Sequence, residues 1–102
     1  MGLTIIDKSF IDQCIATFSD DNLDILQEEC AELIQACSKV KRLNGHWSYS
    51  DPVEGLKEEI THVLICIEQV AKLHNITSDD INNEVMKKAK KYNFKRGGNK
   101  ND

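Results

Sequence analysis

The sequence predicts an all-α fold, a small bundle of about four helices completed by oligomerisation. Apolar residues recur at three- and four-residue spacing through most of the chain, the period of a helix with one buried face. The period-two alternation of strands is scarce. The single proline, Pro52, stands where a helix begins rather than inside one.

The first helix is expected over Lys8 to Phe18, with Phe10, Cys14 and Phe18 on one side and Ile11 and Ile15 beside them. Ser19-Asp20-Asp21-Asn22 is a run of N-cap residue types. A long helix follows to about Leu43, where Asn44-Gly45 supplies a stop. After the loop Gly45 to Ser50, Asp51 caps a third helix, Pro52 suits its first position and Glu54 closes a capping box. This helix is expected to reach about His74. A last helix starts after Thr77-Ser78 and runs to about Tyr92. Residues 1–96 then form one domain, and 97–102, with Gly97-Gly98, a frayed C-terminal tail.

Seventeen acidic and 13 basic residues leave a net charge of −4. That balance argues against a nucleic-acid polymer as partner, which needs a basic surface. An anionic substrate would need a cation or a local basic patch. The longest apolar run, Val63 to Ile67, is too short to span a bilayer, and no secretory signal is expected from the first residues. The four cysteines, at 14, 30, 37 and 66, form no C-x-x-C pair and read as reduced core or near-core thiols. A cytoplasmic setting follows.

The second and third helices resemble each other. Leu26-Gln27-Glu28-Glu29-Cys30-Ala31-Glu32-Leu33 lies over Leu56-Lys57-Glu58-Glu59-Ile60-Thr61-His62-Val63 at a constant offset. At about 100° per residue, Leu26, Cys30, Leu33, Cys37 and Val40 form an apolar stripe. Glu29 lies roughly 60° and Glu32 roughly 120° from Leu26, on one flank. Leu56, Ile60, Val63, Ile67 and Val70 repeat the stripe, with Glu59 and His62 in the same flank positions. Glu28 and Glu58 point away. A single Glu pair at i, i+3 would read as a solvated strip. Two in matched register beside an apolar seam point to a metal site. Burying isolated carboxylates costs on the order of several kcal/mol each unless a cation or strong hydrogen bonds compensate. A hard divalent ion with oxygen ligands is the simplest compensation.

These residues resemble the MazG-like all-α nucleoside triphosphate pyrophosphohydrolases, whose signature is ExxE, a spacer and ExxD. Glu29-x-x-Glu32 matches the first half, and Glu59 opens the second; His62 stands where the family has Asp. The resemblance implies Mg²⁺ held at Glu29, Glu32, Glu59 and His62. Glu29, Glu32 and Glu59 would serve catalysis, and (d)NTP would be cleaved to (d)NMP and pyrophosphate in a homodimer or homotetramer. Imidazole suits Mn²⁺, iron or zinc better than Mg²⁺, so Mn²⁺ is the alternative cofactor. In the resembled family, late Lys and Asn residues contact phosphates; Lys88, Lys91 and Asn93 are the nearest counterparts. Lys88, Lys91 and Lys95 flank the apolar stripe Ile81, Val85, Ala89 and Tyr92, where they could reach phosphates or simply complement the helix C-terminus. Trp47 could stack on a base or cover one end of the bundle.

Two other functions fit the same residues. Glu59-x-x-His62 matches the Glu-x-x-His element of dimeric di-iron, ferritin-like oxidoreductases. Alternatively, His62 marks a helical interaction module with weakened catalysis.

Overall fold

The computed structural model describes residues 6–43 and 51–95. Helix α1 spans Lys8–Phe18, α2 Asn22–Leu43, α3 Pro52–Leu73 and α4 Ser78–Lys91, with a 3-10 turn at Ser19–Asp21 between α1 and α2. The chain is all-helical, with no strand among the described residues. No helix among them is long and apolar enough to cross a membrane.

Local chemistry places the helix ends. The Asp7 carboxylate accepts from the Phe10 amide and starts α1. The run of cap types after Phe18 becomes the 3-10 turn, where the Asn22 side-chain amide donates to the Ser19 carbonyl at 2.7 Å. Asp51 caps α3 as expected, accepting from Val53 N at 2.9 Å. Glu54 does not close a box there; its carboxylate pairs with Lys57 at 3.1 Å, one turn on. Both α3 and α4 end on an asparagine in the left-handed region, Asn75 at φ 58° and Asn93 at φ 60°. Ile76 N then bonds Ala71 O, and Phe94 N bonds Ala89 O, so each helix closes in a Schellman motif. Thr77 opens α4 with a full capping box to Asp80.

Helices α2 and α3 make the principal packing contact, and α1 packs on α3. Glu29 meets His62, while Asn22 and Ile25 lie with Cys66 and Gln69 around a small cavity. Stepping back along α2 means stepping forward along α3, so the two run antiparallel. Asp12 and Lys72 form an ion pair that ties α1 to α3, and the ammonium holds the Asp12 carboxyl below its usual range.

The seam is rotated from the expected stripes, and in the same direction on both helices. On α2, Ala36 is buried and Cys37 exposed. On α3, Val63 and Cys66 are buried, whereas Ile60 is 43% exposed. Each rotation turns the acidic flank inward, because α2 and α3 face each other across Glu29 and Glu59. On α2 and the first half of α3 the opposite flank is left uncovered, with Leu23, Ile34, Val53 and Ile60 all exposed, whereas further along α3 Glu68 and Ala71 on that flank are buried. Cys37 is therefore no core thiol, in contrast to Cys66, whose thiol burial pushes up to about 11. On α1, the buried face centres on Ile11, and Phe10 and Phe18 are exposed.

Candidate metal centre

Two similar helices running antiparallel are related by an approximate two-fold axis. That axis carries Glu29 onto Glu59 and Glu32 onto His62. Antiparallel pairing then sets Glu29 opposite His62 and Glu32 opposite Glu59. The matched register in sequence thus becomes one cluster in space, because the axis passes through it.

Three of the four residues lie together. Glu29, Glu59 and His62 each offer a ligand atom, all within 4.8 Å of one another. His62 Nδ1 lies 3.0 Å from Glu29 Oε2 and 3.7 Å from Glu59 Oε2. Glu32 stands outside this triad, exposed, and shares a hydrogen bond with the Glu29 carboxyl.

Burial raises the Glu29 carboxyl above its ordinary value. The hydrogen bond to Glu32 and its negative charge add to the rise, as does Glu59, while His62 opposes it. Two carboxyls that share a hydrogen bond need one proton between them. Glu59 Oε2 is enclosed and accepts no hydrogen bond. An ionised oxygen in that position is unfavourable unless a cation meets it. The donor set of two carboxylates and an imidazole fits a divalent ion, and suits Mn²⁺, Fe²⁺ or Zn²⁺ better than Mg²⁺. One side of the cluster is open, since the His62 side chain is 50% exposed.

Other expected site residues are not gathered there. Lys88 and Lys91 are exposed on the last turns of α4, which packs closely on neither carboxylate helix. Asn93 has the structural task of turning the chain after α4. Trp47 lies outside the described residues, as do the Asn44-Gly45 stop and the tail 97–102. An open concavity beside Ile76, Ile81, Met86 and Lys90 shares no residue with the acidic cluster.

Some features had no sequence signal. Glu68 and Gln69 are buried at 3% and 6% exposure. Glu68 sits on the flank of α3 away from Glu59, and its counterpart in α2 is Ser38, so the internal match does not mark it. Cys14, Cys30 and Glu29 all act on the Cys66 thiol, which places a thiol-rich core beside the carboxylates. Cysteine spacing along the chain carries no hint of that proximity.

Compared with protein-family models, curated proteins and solved structures, the chain matches none.

Proposed function

We propose that this chain is a metal-dependent nucleotide pyrophosphohydrolase of the MazG-like kind, cleaving (d)NTP to (d)NMP and pyrophosphate. The observation that carries the reading is the convergence of Glu29, Glu59 and His62 around an enclosed carboxylate oxygen with no hydrogen-bond donor. The resemblance of the Glu29-x-x-Glu32 and Glu59-x-x-His62 helices to that family supplies the substrate class.

Glu29, Glu59 and His62 hold the ion, with Mn²⁺ preferred to Mg²⁺ on account of the imidazole. When bound, a divalent cation neutralises charge on the triphosphate. Glu32, open to solvent and outside the triad, orients the attacking water and takes its proton. The water oxygen bonds to the α-phosphorus, the bond from that phosphorus to the bridging oxygen breaks, and pyrophosphate leaves. Lys88 and Lys91 meet the phosphates, and Trp47 the base. Because α4 stands off the carboxylate helices, those lysines come from a second copy or from closure of α4. The uncovered apolar flank of Leu23, Ile34, Val53 and Ile60 favours a homodimer or homotetramer, in which the about four-helix arrangement is completed.

The test is a panel of NTPs and dNTPs with pyrophosphate detection, run with Mg²⁺ and Mn²⁺ separately. Release of pyrophosphate that disappears in Glu59→Ala is expected. No release above background with any nucleotide would overturn the reading. A second reading, a dimeric di-iron oxidoreductase, is favoured by Glu59 and His62 sharing one cluster. Iron in the purified protein together with ferroxidase activity would select it.

A further inference from the structure

Among the described α-helices, α4 alone buries no residue. A helix of 14 residues is marginal in water without packing. Its caps are complete at both ends, yet its apolar stripe faces solvent, with Ile81 40%, Val85 58% and Tyr92 52% exposed. Phe94, stacked on Tyr92 at 5.4 Å, extends that stripe.

Charge along α4 falls into two blocks. Asp79, Asp80 and Glu84 occupy the first part, and Lys87, Lys88, Lys90 and Lys91 the second. Such a helix is complementary to a second copy of itself laid antiparallel. We infer that α4 is a self-association surface, in which two copies pair their α4 helices antiparallel about a two-fold axis near Met86. At 3.6 residues per turn, Asp80, Glu84, Lys88 and Lys91 share one flank of the stripe. Pairing about Met86 sets Glu84 against the second copy's Lys88 and Asp80 against the second copy's Lys91, each contact occurring twice. Ile81 then meets the second copy's Tyr92, and Val85 the second copy's Ala89. An anionic lipid surface fits less well, because the same flank begins with two acids. The inference rests on the self-association proposed above; it engages Lys88 and Lys91 with the second copy's acids, and so stands as an alternative to their phosphate role there.

The test is sedimentation equilibrium of the full chain, wild type and three variants. The wild type associates reversibly, with a Kd of about micromolar order for so small an interface. Glu84→Lys alone and Lys88→Glu alone each raise that Kd about tenfold, since each replaces two attractive contacts by two repulsive ones. An equimolar mixture of these two variants recovers wild-type affinity as a heterodimer, which a misfolded variant cannot do. Val85→Asp lowers association by one step, dimer to monomer, or tetramer to dimer where the flank of α2 and α3 also pairs. A wild type that associates but is insensitive to all three variants overturns the role of α4 and leaves self-association standing. Loss in both charge variants without recovery on mixing also overturns it. A wild type that stays monomeric overturns both.

Discussion

Helices α3 and α4 both carry an apolar stripe and capped ends, yet α3 buries five residues and α4 none. The difference lies in their neighbours. The stripe of α3 is covered by α2 on one side and α1 on the other, and that cover draws Glu59 into the seam with it. Helix α4 packs closely on no other described helix, and its charged residues stay exposed. Amphipathic periodicity states that a face is fit to be covered; it does not say what covers it. The hairpin of α2 and α3 holds ionisable groups at a cost to stability. Helix α4 holds its ionisable groups free of that cost.

Four measurements test this contrast, and the largest effect is expected in the hairpin. Glu59→Ala should lower kcat/KM for pyrophosphate release by about 100-fold or more, beyond the 10–100-fold typical of groups that only support a ligand. Circular dichroism should show the helices intact, since the removed oxygen accepts no hydrogen bond. Next in size is His62→Asp. Replacing nitrogen by oxygen should move the Mg²⁺ to Mn²⁺ ratio of turnover about tenfold toward Mg²⁺. A large rise of turnover with both ions would instead mark the present chain as a weakened enzyme.

Thr77→Ala tests the other region. It removes half of the capping box of α4 and should cost that helix about 1 kcal/mol. Because α4 is packed on little else, hydrogen exchange should quicken in 78–91 and stay unchanged in α2 and α3.

The smallest effect is a divergence with pH. Glu29 has a raised folded-state pKa, so between its unfolded and folded values the native chain binds more protons than the unfolded one. Its penalty is therefore present above the folded value and relieved as pH falls through it. Asp80 has a lowered pKa through its bonds to Thr77, so its contribution to α4 is present above the ordinary carboxylate range and lost as pH falls. Mild acidification without metal should protect the hairpin amides around Glu29, and stronger acid should expose α4. Glu29→Gln should abolish the first response and leave the second. Equal responses of both regions in Glu29→Gln and wild type would sink the assignment.

Much of the fold was legible in the chain. The helix boundaries at Lys8, Phe18 and Pro52, and the end of α4 at Lys91, one residue short of the expected Tyr92, follow from caps, the proline and apolar spacing, which act within a few residues. The repeat of Leu26 to Leu33 at Leu56 to Val63 also marked Glu29, Glu59 and His62. It did not mark Glu68, whose counterpart in the repeat is the uncharged Ser38, nor the closeness of Cys14, Cys30 and Cys66. The ends at Asn75 and Asn93 were readable in principle, since asparagine tolerates the left-handed region, although glycine is the stronger signal.

The carboxylate pairs on one flank of each helix were a property of the sequence alone, because the angle between side chains on a helix is set by their spacing. Tertiary structure decided which way that flank turned. Antiparallel pairing rotated both seams toward Glu29 and Glu59, enclosed one oxygen of Glu59, left Glu32 outside and exposed Cys37 and Ile60 instead. The physical reason is that spacing fixes angles within one helix, whereas burial depends on the surface laid against it. That surface comes from residues far away in the chain, or from another chain.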